Sequence, residues 1–236
     1  MTTQRAFDRH RGAGSSSPLA IWTDFAGVLT PPVDVTFNAF ADQVGVPLYA
    51  LKEAMRVVGA AHGTDAMGVI DIPLLSVSAW SDALETELGA TFGLVADLEH
   101  FGDQWFAERP TNTAWVQRLE SFRARGAFVG LLADLPPSWE RHRRLMVDDS
   151  HFDDIVCSYA VGSRKPEPEI FRLAAQRSGR APHECVLVDD LEKNVAGAIA
   201  AGWQAVLFHD ADQAARQVNH LMNAAAPCPA AVHAHA

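Results

Sequence analysis

The chain has 236 residues but only three cysteines, Cys157, Cys185 and Cys228, and no two of them form a CxxC pair. A disulfide or zinc framework is therefore not what organises it. No apolar run approaches the roughly 18 residues that a membrane-spanning helix needs, so no membrane partner is expected. Basic residues are scarce, with 19 Lys and Arg against 29 Asp and Glu and a net charge of -10. Nucleic-acid binding depends on neutralising phosphate with clustered cations, so nucleic acid is not an expected partner either. A phosphorylated small molecule stays open, because a local cation or metal overrides the global charge. GxGxxG, P-loop and HExxH patterns are also missing, which leaves nucleotide cofactors and zinc proteolysis without support.

What is present is ordinary for a globular chain: 48% hydrophobic and 20% charged residues, enough for a core without cross-links. Residues 1–17 are polar and Gly/Ser-rich and read as a flexible arm, not a signal peptide. A reducing cytoplasm is the expected location. From Leu19 the text LAIWTDFAGVLT reads as a buried strand ending in a loop. Residues 33–108 contain no comparable strand. Helical spacing places Phe37, Phe40, Ala41 and Val44 on one face. It continues through Leu48, Leu51, Ala54 and Met55, and again through Leu75, Val77, Trp80, Leu84 and Leu88. The stretch HGTDAMGVIDIP (62–73) reads as a loop between them.

Strands return at AFVGLLAD (127–134), near DIVCSYA, at ECVLVDD (184–190) and at QAVLFHD (204–210), with helices between. Alternation of this kind predicts an α/β fold, a Rossmann-like parallel sheet with helices on both faces. The expected division is a core of 18–32 plus 109–212, a helical insert of 33–108, and a C-terminal helix with a loose Ala/His-rich tail over 213–236. Nothing in the pattern separates a monomer from a homodimer.

In open parallel sheets, ligands bind beyond the carboxyl ends of the strands. Four such ends carry polar residues: Asp24, Asp134, Lys165 in the loop after the third strand, and Asp189–Asp190. Clustered carboxylates are stable mainly around a hard divalent cation, and Mg²⁺ suits one or two carboxylates plus phosphate oxygens. A carboxylate is also a competent nucleophile toward phosphorus, giving an aspartyl-phosphate, while a lysine and a metal stabilise charge on the transferring group.

Over roughly residues 19–210 the chain resembles the haloacid-dehalogenase superfamily, in the branch with a small helical cap inserted after the first motif. DFAGVLT (24–30), GLLADLPP (130–137), VGSRKPEPEIF (161–171) and VLVDDLEKNVAGAIAAGW (186–203) are similar to its four motifs in order and separation. The resemblance implies that Asp24 is nucleophile and metal ligand, and that Asp189 and Asp190 hold Mg²⁺ together with the backbone carbonyl of Ala26. It implies that Lys165 bridges Asp24 and the phosphate, that Ala133 and Asp134 occupy the phosphate-binding position, and that Asn194 braces the metal loop. The insert would close over the site, exclude water and choose the substrate.

Two positions depart from that pattern. Ala26 stands where the family has the general acid, and Ala133 stands where it has a Ser or Thr, with Asp134 replacing the usual Asn. Alanine can neither transfer a proton nor donate a side-chain hydrogen bond. A missing general acid costs about 10²–10⁴ in rate.

Three readings follow. One is a phosphatase of a small phosphorylated metabolite whose acid comes from elsewhere, with His62, Asp65 and Asp71 as candidates. Another is different chemistry at the same site, either a dehalogenase-type reaction or a Mg²⁺-dependent lyase or cyclase. The third is a binding protein on a degenerate fold. Trp80 and Trp105 could line a substrate pocket, though aromatics at helical spacing more often pack in the core, and Trp139 is expected near the site entrance.

Overall fold

The computed structural model describes residues 19–224; the expected arm over 1–17, Cys228 and the His-rich end lie outside the described residues. The first strand, β1 (Ala20–Thr23), is followed by five helices with no strand among them. These are α1 (Val33–Val44), α2 (Leu48–Ala61), α3 (Gly68–Asp71), α4 (Val77–Phe92) and α5 (Phe101–Phe106). The chain then alternates through α6 (Thr113–Ala124), β2 (Phe128–Ala133), α7 (Glu140–Met146), β3 (Asp154–Cys157) and α8 (Ser158–Val161). It ends with α9 (Pro168–Ser178), β4 (Cys185–Asp189), α10 (Glu192–Ala200), β5 (Gln204–Leu207) and α11 (Ala211–Ala224).

All five strands are parallel, in the order β3-β2-β1-β4-β5, with β1 at the centre. The order reverses direction at β1, so the crevice beyond the carboxyl ends of β1 and β4 is the switch point where such sheets bind ligands. Side chains alternate across the sheet as the pleat requires. Ile21, Val129, Leu131, Val186 and Val188 pack on one face with α6 and α11. Ala20, Trp22, Leu132 and Leu187 pack on the other with Ile170, Phe171 and Ala198 of α9 and α10.

The helical spacing expected in the insert holds at Phe37, Phe40, Ala41, Leu51, Ala54, Met55, Trp80, Leu84 and Leu88, all of them buried. Phe40 and Phe101 pack at 4.3 Å between ring centroids and Trp80 and Phe101 at 4.9 Å. The core of the insert is continuous with the α6/α11 face of the sheet. Trp105 and Trp139 join the two, their rings 6.0 Å apart and 16° from parallel.

Two local expectations are corrected. The stretch 62–73 is not simply a loop. Val69, Ile70 and Asp71 are buried and form the one-turn helix α3. The apolar pair between the glycine and the proline needed burial, which a solvated loop does not give it. The strand expected across DIVCSYA stops at Cys157, because Ser158–Val161 turns helical and ends at Gly162 with φ 68°. Among the described residues no helix is long and apolar enough to cross a membrane.

Candidate active site

Asp24 follows β1 directly, and its amide N–H donates to the carbonyl of Val188 on β4 at 2.9 Å. The two central strands are therefore tied together where the carboxylates emerge. Asp24, Asp189 and Asp190 each offer a carboxylate oxygen, and these atoms lie within 4.8 Å of one another.

Lys165 sits against this cluster, fully buried, with Nζ 2.6 Å from Asp24 Oδ1 and 2.7 Å from Asp189 Oδ2. Burial disfavours its ammonium, but Asp189, Asp24 and Asp134 outweigh that and raise its pKa above the ordinary lysine value. Asn194, in the first turn of α10, donates Nδ2 to both oxygens of Asp189 at 3.0 and 3.1 Å. The Leu191 N–H adds a third donor to Asp189 at 2.9 Å. Asp189 is therefore held by Lys165, Asn194 and the backbone.

Asp190 is different. Its Oδ1 is buried and has no hydrogen-bond partner. Burial, then the Asp189 charge, pushes its carboxyl up to about 6. Asp24 is raised well above the ordinary carboxylate value, by burial first and then by Asp189 and Asp190, against the pull of Lys165. A buried carboxylate oxygen without a donor is costly. Three carboxylates converging on one point around it fit a hard divalent cation with oxygen ligands. Gly27 makes the approach possible. With φ 80°, a Cβ there would lie 2.0 Å from Asp190 Oδ2.

A cavity of about 370 Å³ opens in front of the cluster, a size suited to a small molecule. Asp24, Ala26, Asp134, Asp190 and Asn194 line it from the core. Phe37, Trp105, Met67, Asp65 and Asp71 line it from the insert, and Trp139, buried against Phe101 and Trp105, lines it as well. Ala26 is thus at the cavity wall and Ala133 is buried at the end of β2. Asp134 does not point away. Its Oδ1 accepts the Lys165 backbone N–H at 3.2 Å, and burial raises its carboxyl despite the Lys165 charge.

The three candidate acids separate clearly. His62 is exposed, with Nδ1 bound to the Val58 carbonyl at 2.9 Å, and is not part of the cavity wall. Asp65 is consumed by a two-pronged pair with Arg164 and by Lys193 Nζ at 3.3 Å. Burial opposes its ionisation, but the Arg164 hydrogen bonds prevail and hold it below the ordinary carboxylate value. Asp71 is buried and lines the cavity, with Arg164 Nη1 no nearer than 3.4 Å. Arg164 and Lys193 themselves were missed in the sequence, although Arg164 immediately precedes Lys165 in its motif.

The haloacid dehalogenase-like hydrolase family profile matches residues 19–202. Phosphoserine phosphatase of Thermus thermophilus is 37% identical over 178 residues, covering 73% of this chain and 68% of the relative. Bifunctional epoxide hydrolase 2 of Sus scrofa is 26% identical over 208 residues, 83% of this chain, which spans only 37% of that longer protein. In structure, a HAD-family enzyme of Bacteroides thetaiotaomicron in complex with magnesium and inorganic phosphate is similar with a TM-score of 0.61 at 18% identity. That likeness covers 81% of this chain and 94% of the other, and it bears on the fold. The sheet order, the motif positions and these matches agree: the chain belongs to the haloacid dehalogenase-like hydrolase family.

Proposed function

We propose that the protein is a Mg²⁺-dependent phosphatase of a small phosphorylated metabolite, acting through an aspartyl-phosphate on Asp24. The observation that carries this reading is the buried, unpartnered Asp190 oxygen beside Asp24 and Asp189. A dehalogenase-type reaction has no use for it. The phosphatase relative and the magnesium- and phosphate-bound neighbour add support.

Asp24, Asp189, Asp190 and the carbonyl of Ala26 would hold the ion. When bound, Mg²⁺ supplies charge stabilisation for the transferring phosphoryl group. The chain's own groups do the rest. Asp24 attacks phosphorus. Lys165, fixed by Asp189, keeps Asp24 oriented and offsets its repulsion from the phosphate. Asn194 holds Asp189 in place.

Residues 33–108 act as a cap. Phe37, Trp105 and Trp139 give the substrate's organic part an apolar wall, and closure excludes water. Cys157 and Cys185 are free, and burial raises them to about 12 and about 11, so they are inert thiols suited to the proposed cytoplasmic setting.

The experiment is phosphate release against a panel of alkyl, aryl and acyl monoesters and diphosphates, with and without Mg²⁺. Turnover that needs Mg²⁺ supports the reading. Release that persists in excess chelator refutes it. Ala26 favours a second reading, a substrate whose leaving group needs no proton. Halide release from a 2-haloacid without Mg²⁺ would establish it.

A further inference from the structure

We infer that Asp71, supplied by the helical insert, is the acid and base that replaces the missing carboxyl at position 26. This rests on the phosphatase reading above.

The geometry is the first support. In-line displacement puts the leaving oxygen on the far side of phosphorus from the nucleophile. Asp24 stands on the core wall of the cavity, and Asp71 stands on the wall that the insert contributes. Asp71 is only 5% exposed. Its position is fixed from the core, because Ser158 Oγ donates to the Asp71 backbone carbonyl at 2.7 Å while accepting the Leu135 N–H at 3.1 Å. Gly68, one turn earlier, leaves room for the Arg164 guanidinium, which a Cβ there would meet at 2.2 Å.

The charges around Asp71 decide where the proton resides. Asp134 and Asp65 repel its anion; Arg164 and Lys193 favour it. Arg164, however, is committed to Asp65, and Lys193 pairs with Asp65 as well. Asp134 has a backbone donor and the Lys165 charge, whereas Asp71 has one contact at 3.4 Å. Of this pair, Asp71 therefore keeps the proton. Burial and the Asp134 charge bring its carboxyl to about 8, so it is protonated at neutral pH and ready to donate.

The step balances. A carboxylate oxygen of Asp24 bonds to phosphorus, the bond to the leaving oxygen breaks, and its electron pair takes the Asp71 proton to release a neutral alcohol. Water then attacks the aspartyl-phosphate and gives a proton to the Asp71 carboxylate. Phosphate leaves, and both aspartates return to their starting states.

The test compares p-nitrophenyl phosphate, whose leaving group needs little protonation, with glycerol phosphate, whose leaving group needs it. Both are measured with the full chain in Mg²⁺, native and Asp71→Asn. The inference predicts a fall in kcat/KM, which reports the transfer to Asp24 and not the hydrolysis both esters share, of about 10²–10⁴ for the alkyl ester and a far smaller fall for the aryl one. It also predicts that the native alkyl rate declines on the alkaline side, where Asp71 ionises, while the aryl rate does not. Adding Ala26→Asp to Asp71→Asn should restore part of the alkyl rate. Equal falls on both esters, or native profiles of the same shape, would overturn the role of Asp71 while leaving the phosphatase reading intact. No hydrolysis of either ester by the native protein would sink both.

Discussion

At the scale of single residues, the site depends on how closely its carboxylates approach one another. Gly27 is the clearest case: only a residue without Cβ lets Asp190 Oδ2 sit where it does. Gly27→Ala should displace Asp190 and weaken Mg²⁺ binding at least tenfold by calorimetric titration. The far-UV spectrum should be unchanged, because the position is in a loop. Unchanged affinity would mean that Asp190 is not a ligand.

Asp71 makes a second prediction, about stability. Burial, then the Asp134 charge, raises its carboxyl on folding from the ordinary carboxylate value to about 8. A carboxyl raised on folding gives stability that is complete below its unfolded pKa and is lost as pH rises through the folded one. Asp71→Asn should therefore gain Tm over the native protein progressively between about pH 4 and pH 8. A stabilised but slower variant is the usual trade at an active site. A Tm difference independent of pH would contradict it.

The strand ends led to Asp24, Lys165, Asp189 and Asp190, and the family resemblance to Asn194, and the fold brings these side chains together. Arg164, Lys193 and Phe37 were not, because their roles arise only when the insert docks.

At the scale of elements, α3 and the loop before it carry both Asp71 and the Asp65 that docks on the core. The sequence signal there is weak: the helix starts at Gly68, ends two residues before Pro73, and its four residues are too few for any periodicity. Tertiary burial of Val69 and Ile70 overrides the local turn signal.

Beside the apolar seam lies a polar docking contact, Arg164 and Lys193 of the core holding Asp65 of the insert. Arg164→Ala should raise amide exchange across α2 and α3 while leaving β1 and β4 protected, since the sheet's own ladder is untouched. Equal exchange in native and variant would show that the apolar seam alone holds the insert. Ser158 is the other link. Its hydroxyl serves both Leu135 and Asp71 and is fully buried. Ser158→Ala leaves two buried backbone groups without partners and should cost about 1–3 kcal/mol in denaturant unfolding.

At the scale of the whole molecule, insert and core share one hydrophobic cluster running from Leu51 and Leu88 through Phe101, Trp105 and Trp139 to Leu131 and Val186. The alternation of strands and helices made the sheet readable in advance. The continuity of this cluster was not, because it depends on which face of α5 meets Trp139. A shared core predicts a single cooperative transition, coincident by tryptophan fluorescence and far-UV circular dichroism. Two separated transitions would mean that the insert folds as its own unit.

In the proposed mechanism Asp24 carries the phosphoryl group. The most direct test is to quench the Mg²⁺-loaded protein in acid during turnover of an aryl phosphate and to map the adduct by peptide mass. The expected result is a phosphoryl group on the peptide containing Asp24, removed by hydroxylamine and absent from Asp24→Asn. Phosphate release with no adduct, or an adduct that survives in Asp24→Asn, would contradict it.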